Sequence, residues 1–348
     1  MRSKIGVAVA ATLCWAVALV APASAAFPGA NGKIAFESSR SIHTVNPDGT
    51  GETTIANRIA EAPAWSADGR RIAYDTGRGT ISVANADGTG ARNIGATGFA
   101  ANPAWSPDGR IAYDSSHEQC FPDACGFVPD GIFVINSDGS GDHQLTTHGA
   151  EPAWSPDGAK IAFTDYTSGP DSSTDIFVMD AEGGGITNLT RTDNGYEASP
   201  DWSPDGSRIA FVRQERFSSF YDIYAINADG TGLTRLTDDS ARSYREGAPA
   251  WSPDGSKVLF ESNRTSYVGP TCPCTSLVIV VMDASGANQT DIIGGERPDW
   301  QPIPGPQRSD YRNAAQFCKA ERSFLGDAAF TKKYGGGANA YGKCVSAK

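Results

Sequence analysis

Positive charge is scarce in this chain: its 348 residues carry 29 Lys and Arg against 40 Asp and Glu, a formal net charge of -11. Residues 1–25 hold Arg2 and Lys4 and no acid, which leaves 27 basic against 40 acidic residues in the rest, a balance of -13. Such a surface repels phosphate backbones and argues against nucleic acid as a partner. Cationic ligands, metal ions and basic protein patches remain open to it. Catalytic motifs are equally sparse. The four histidines (His43, His117, His143, His148) show no HExxH spacing, no GxSxG elbow occurs, and the glycines sit in turn contexts rather than at helix starts. No catalytic residue, cofactor or metal is assigned. The sequence-local acid/base neighbours are His117 with Glu118 and His148 with Glu151.

Long apolar runs are absent except at the start. Arg2 and Lys4 precede the uncharged stretch Ile5–Val20, and Pro22 and the small residues Ala23–Ala25 follow it. This is the pattern of a cleaved signal peptide over residues 1–25, with an uncleaved anchor as the alternative. Cys14 lies mid-run behind Leu13, not at the end of a lipobox-like stretch. No second span follows, so the expected product is secreted, periplasmic or on the cell surface, with no membrane span. In that compartment the six remaining cysteines (Cys120, Cys125, Cys272, Cys274, Cys318, Cys344) read as disulfide candidates in three local couples. Cys272 and Cys274 would close a very small ring, and a zinc site built from two couples is the rival reading.

What the chain has in abundance is turn residues, 39 Gly and 21 Pro, arranged with a period. "PAWSADG" begins at Pro63, "PAWSPDG" at Pro103, Pro152 and Pro249, "PDWSPDG" at Pro200, and "PDWQP" at Pro298. The tryptophans Trp65, Trp105, Trp154, Trp202, Trp251 and Trp300 are spaced 40, 49, 48, 49 and 49 residues apart. Within one period, "PAWS" is a short apolar stretch and "PDG" a tight turn with Gly supplying positive φ. "KIAFTD" and "DIFVMD" alternate as strands do, "AEGG" makes a second turn, and "ITNLT" a fourth strand. Four antiparallel strands at this period form the blade of a β-propeller, and each tryptophan marks an equivalent packing position near the axis.

The "PAWSPDG…IAF…DIFVMD…LT" pattern resembles the WD40-like repeats of TolB-type six-bladed propellers over about residues 31–302. The resemblance implies "PAW" innermost, "IAF" second, "DIFVM" third and "LT" outermost. "NGKIAF" (31–36) opens the array as a second strand without an inner one, and "ERPDWQP" ends it as an inner strand with nothing after it. The two halves are expected to complete one blade, giving an all-β, six-bladed ring over residues 27–302 closed by its terminal strands. TolB proteins belong to an envelope-spanning complex, so the resemblance implies interaction rather than catalysis. The ring begins within about ten residues of the signal sequence, so the TolB N-terminal domain is not expected, which puts membership of that complex in doubt.

Function is expected on the face that bears the variable loops. These are short in blades one and two and long in blades three to six, where Phe121, Phe127, Tyr166, Phe217, Phe220, Tyr221 and Tyr267 are candidate contacts. Just before the inner strands stand Glu61, Glu151, Glu197, Glu246 and Glu296, with Asn102 in the sixth place, and His148 nearby. Around the axis they would form an acidic collar able to take a divalent cation or a basic side chain. Pairing with arginines is the plainer reading. The Asp-Gly motifs from Asn46, Asn85, Asn136 and Asn227 resemble calcium loops but read as hairpin turns. After a linker at 303–308, residues 309–348 read as a small helical, Cys-paired tail. Its first helix runs from a Ser309 or Asp310 cap to Gly326, with Ala314, Phe317, Cys318, Glu321 and Phe324 on one stripe, and "DAAFTKKY" forms a second. A cap docked on the ring is preferred over a surface-attachment module. The reading is thus a monomeric, non-enzymatic binding platform for a protein or extracellular ligand, the alternative being an extracellular lyase or hydrolase acting on polysaccharide or peptide at the same face.

Overall fold

The computed structural model describes residues 26–348 apart from 58, 122–123, 167–172, 193–194, 216–217, 219, 239–243, 265–276, 307–310, 335–338 and 347–348. The proposed signal peptide, Cys272, Cys274, Phe217, Tyr267 and the Ser309/Asp310 cap therefore lie outside the described residues, as does the side chain of Phe121. Six four-stranded antiparallel units follow one another along the chain. Blade two contains β4 (Glu61–Trp65), β5 (Arg71–Asp75), β6 (Ile81–Asn85) and β7 (Arg92–Asn93), and blade three β8 (Phe99–Trp105), β9 (Arg110–Phe121), β10 (Ala124–Asn136) and β11 (His143–Thr146). Blade four contains β12 (Ala150–Trp154), β13 (Lys160–Tyr166), β14 (Thr174–Asp180) and β15 (Thr187–Asn188), and blade five β16 (Tyr196–Trp202), β17 (Arg208–Gln214), β18 (Asp222–Asn227) and β19 (Thr234–Arg235). Blade six has β20 (Glu246–Trp251), β21 (Lys257–Ser262), β22 (Val278–Asp283) and β23 (Thr290–Gly294). Blade one joins both ends of the array: β24 (Glu296–Ile303) pairs antiparallel with β1 (Ala30–Ser38), setting Trp300 opposite Ile34, and β2 (Ser41–Val45) and β3 (Thr53–Ala56) complete it.

The repeated residues explain the repeated geometry. All six tryptophans are buried, as are the second-strand aromatics Phe36, Tyr74, Tyr113, Phe163, Phe211 and Phe260. Removing each tryptophan from water is worth about 4–6 kcal/mol of transfer free energy. The indole also receives a cation from the preceding blade: the guanidinium of Arg71 lies 4.5 Å from the Trp105 ring, Arg110 4.9 Å from Trp154, and Arg208 5.7 Å from Trp251. The "SPDG" turns hold themselves. Ser155 Oγ donates to Asp157 and accepts from Lys160 N, and Gly158 takes a positive φ.

One recurrent feature carries no obvious sequence mark. Three residues before every tryptophan, at Ala62, Asn102, Glu151, Ser199, Ala248 and Arg297, the backbone takes a positive φ of 50–56°. The pairing register of each inner strand shifts there, so every blade has a β-bulge ahead of its proline. A non-glycine residue in this region costs about 1–2 kcal/mol, which the surrounding contacts must offset.

The tail departs from expectation. Its first helix, α1 (Ala314–Tyr334), continues through Gly326, since one glycine weakens a helix by only about 1 kcal/mol without ending it. The second, α2, spans Ala340–Ser346. The helices pack on each other around Cys318, Phe330, Ala340 and Cys344, and the Cys318–Cys344 disulfide joins them. Among the described elements, neither helix shares with any strand a contact as extensive as the one the two helices share with each other.

Candidate functional site

The variable loops and crossovers share one face, and a cavity of about 530 Å³ opens there at blades three to five. Pro129 comes from β10 of blade three, where the long segment between Asp114 and Ile132 forms an extension of the β9–β10 hairpin, Thr147 to Gly149 from the crossover into blade four, and Ala150 and Glu151 from the start of β12. Thr164, Asp165, Tyr166 and Thr174 come from the ends of β13 and β14, and Tyr196 from the first residue of β16. A parallel bridge between Thr174 and Tyr196 ties blades four and five together at this wall. No lysine or arginine is among the described residues that line the cavity.

Its polar groups are held from behind. His148 Nδ1 lies 2.5 Å from Asp165 Oδ2, which fixes the ring and leaves Nε2 for other partners. The side chain of Asp165 is buried and that of His148 half-exposed. Glu151 is buried, and its Oε2 accepts from Thr164 Oγ1 at 2.9 Å and from the bulge N–H of Ser199 in the next blade. Desolvation is the main cause that pushes the Glu151 carboxyl up to about 7, with the nearby Asp114 charge adding to it. Asp114 in turn accepts from Asn102 Nδ2 at 2.8 Å and from the Glu151 N–H at 3.1 Å, and burial raises it to about 6. Burial also pushes the Tyr196 phenol well above its usual range, so it stays protonated. Tyr196 meets Tyr221 edge to face at 5.6 Å, and Tyr166 stands largely exposed at the rim. The site therefore offers carboxylates, an oriented imidazole and aromatic faces in one recess.

The glutamates named from the sequence do not form a single collar. Relative to the following tryptophan, Glu61 and Glu296 stand four residues back, Glu151 three, and Glu197 and Glu246 five. Side chains alternate along a strand and the bulge adds a further turn, so these registers point the acids into different surroundings. Arg213 Nη1 lies 3.2 Å from the buried Glu197, and Arg264 Nη2 2.9 Å from the buried Glu246. Glu61 meets Arg40 at 3.0 Å and Arg297 at 3.8 Å. Glu296 is partly buried, and desolvation raises it. Arginine pairing, the plainer sequence reading, accounts for three of the five, and Glu151 lines the cavity.

The histidine partners also differ from the sequence-local ones. His117 Nδ1 pairs with Asp130 at 2.7 Å instead of Glu118, and His148 pairs with Asp165 instead of Glu151, because antiparallel strands bring distant residues closer than sequence neighbours. Cys120 and Cys125 are disulfide-bonded across the β9–β10 hairpin, so their thiolates are not available to a metal beside Glu118. A second set of acids escaped the motif search. Glu37, Asp75, Asp114 and Glu261 directly follow the second-strand aromatics in four repeats, and burial raises all four, to about 7, 6, 6 and 7. Glu261 accepts the bulge N–H of Arg297 at 2.9 Å, as Asp114 accepts that of Glu151. Aligning the repeats on the aromatic would have exposed this series.

The blade order, the repeated turns and the inner tryptophans agree with a family model described as the TolB beta propeller domain, which matches residues 30–221, more than half of the chain. The chain belongs to the TolB propeller family. Among solved structures, its TolB propeller is similar to TolB from Acinetobacter baumannii, at 22% identity and TM-score 0.61 over 78% of this chain and 67% of that one. It is also similar to a putative TolB from Agrobacterium tumefaciens, at 25% identity and TM-score 0.55 over 76% and 91% of the two chains. Hydrazine synthase from Kuenenia stuttgartiensis shares the fold at 14% identity and TM-score 0.61, over 80% of this chain and 48% of that one. The TolB fold thus occurs in this comparison beside an enzyme, and fold alone does not assign activity. A search of curated proteins finds no match. No described helix is long and apolar enough to cross a membrane, and the two disulfides suit an oxidising compartment.

Proposed function

We propose that this chain is a secreted or cell-surface, non-enzymatic platform that binds a protein or extracellular ligand through the loop face of blades three to six. The partner presents a cationic group, an ammonium or guanidinium, to the cavity between blades three, four and five. The observation that carries this reading is the composition of that cavity: Asp165 and Glu151 beside Tyr166 and Tyr196, with no lysine or arginine among the described lining residues. A cation with an apolar stem gains charge pairing from the carboxylates and a π face from the tyrosines. Family resemblance to TolB proteins supports interaction as the role. The test is a thermal-melt screen of residues 26–348 against arginine- and lysine-bearing peptides, neutral oligosaccharides and divalent cations, with Asp165→Asn alongside. A ligand at a hundredfold excess over its Kd adds about 2.7 kcal/mol to stability. A shift with the basic peptides that disappears in the variant supports the reading, and a shift only with oligosaccharides or metals refutes it.

A second reading, an extracellular lyase or hydrolase at the same face, draws on the His148–Asp165 pair. In that reading Nε2 of His148 takes a proton from substrate while Asp165 holds the ring, and the Tyr196 phenol serves as a donor. Turnover of a polysaccharide or peptide that is lost in His148→Gln would favour it. Binding that survives this substitution, with no turnover, favours the platform.

A further inference from the structure

The charges of the chain are segregated. Residues 303–348 contain eight Lys and Arg (Arg308, Arg312, Lys319, Arg322, Lys332, Lys333, Lys343, Lys348) against Asp310, Glu321 and Asp327, a balance of +5. Residues 26–302 contain 19 basic and 37 acidic residues, a balance of -18. The sign changes at the linker, where Pro304, Gly305 and Pro306 follow the last strand of the ring. At physiological ionic strength the screening length is about 8 Å, so a ligand at the exposed side of this module meets chiefly the module's own charge.

α1 and α2 form their own core, closed by Cys318–Cys344, and do not pack on the strands to any comparable extent. Within that core the buried Glu321 is engaged by the Tyr334 hydroxyl, so the acid is turned inward. Arg312, Lys319 and Lys343 are exposed, and none of them takes part in an ion pair among the described residues. A stapled unit whose buried Glu321 faces in while Arg312, Lys319 and Lys343 face solvent is suited to meet negative charge.

We infer that the C-terminal module binds a phosphate-bearing polymer of the cell surface and tethers the acidic ring to it. This inference is independent of the cavity reading. A bilayer fits the module poorly. Tyr341 and Val345 are the large apolar side chains exposed on its described helices, too little apolar surface to hold an interfacial helix. Nucleic acid fits poorly as well, because two disulfides place the chain in an oxidising compartment.

The experiment uses residues 26–348 and the triple variant Arg312→Gln/Lys319→Gln/Lys343→Gln, each passed over immobilised long-chain polyphosphate and over neutral dextran. Phosphatidylglycerol vesicles form a separate sedimentation arm. The unaltered chain is expected to be retained on polyphosphate at low salt, to elute as salt rises, and to pass through dextran. The triple variant, with an unchanged melting temperature, should bind at least about tenfold more weakly, and its slope of log K against log salt should fall by about two for three lost phosphate contacts. Asp165→Asn should leave retention unchanged, which separates this result from the cavity test. Flow-through of the unaltered chain, full retention of the triple variant, or sedimentation with vesicles in place of polyphosphate retention would each overturn the inference.

Discussion

Asp157 and Asp114 stand on neighbouring blades, each in a repeated position, and their protons are held with opposite preference. Asp157 sits in an exposed "SPDG" turn, where the Ser155 hydroxyl and the Ala159 N–H hold its carboxyl below the usual range. Asp205 is held down in the same way by Ser203. Asp114 lies within β9, a second strand, and burial pushes it up to about 6 although it accepts two hydrogen bonds. Hydrogen bonding wins where water remains, and desolvation wins where blades converge. The first outcome is written in five consecutive residues. The second depends on which blade lies next door.

Removing a partner from the axial set should have the largest effect. Arg213 lies 3.2 Å from Glu197, which is fully buried. Arg213→Ala leaves that acid without its cation and should cost about 3–5 kcal/mol in urea unfolding. The double variant Arg213→Leu/Glu197→Leu should recover much of the loss. If Arg213→Ala costs less than about 1 kcal/mol, the axial acids are better solvated than the burial implies.

A pH titration sharpens the contrast further. Glu37, Glu151, Glu197 and Glu261 are raised to about 7, so between their unfolded value near 4.5 and about 7 the folded chain holds more protons than the unfolded one. Their stabilising contribution is complete below pH 4.5 and declines as pH rises through 7. The turn aspartates have lowered values, so their contribution is present above about pH 3.8 and is lost as pH falls through their folded values. Scanning calorimetry should therefore place maximum stability near pH 4–5, with Tm falling by several degrees towards pH 8. A Tm that climbs from pH 5 to 8 would reverse the assignment. The smallest effect belongs to a single turn: Asp157→Ala removes one exposed and one part-buried hydrogen bond and should cost about 1 kcal/mol or less, with no change in the neutral-pH slope.

The same distinction explains what the sequence disclosed. Six tryptophans, each two residues after a proline and four of them followed by "SPDG", define blade number, strand order and turn positions because the motif is short, rigid and repeated. The bulge ahead of each proline stayed hidden, since Ala62, Asn102, Glu151, Ser199, Ala248 and Arg297 share no side-chain chemistry. That bulge, and the differing registers of the five glutamates, undid the expectation of one acidic collar. His148 and Glu151 were legible as candidates, yet the Asp165 that orients His148 lies 17 residues away and approaches only when β13 forms. The tail misled for a different reason: Gly326 reads as a stop, but packing around Cys318 and Phe330 carries the helix through it.

The role proposed for the cavity between blades three, four and five is to take a cationic group from a partner. Its most direct measurement is isothermal titration of a short blocked arginine peptide into residues 26–348, repeated with Asp165→Asn and at high salt. Binding is expected to be saturable, to weaken about tenfold or more in the variant and to fall as salt rises. Binding that is indifferent to both changes, or no binding by either arginine or lysine peptides, would contradict it.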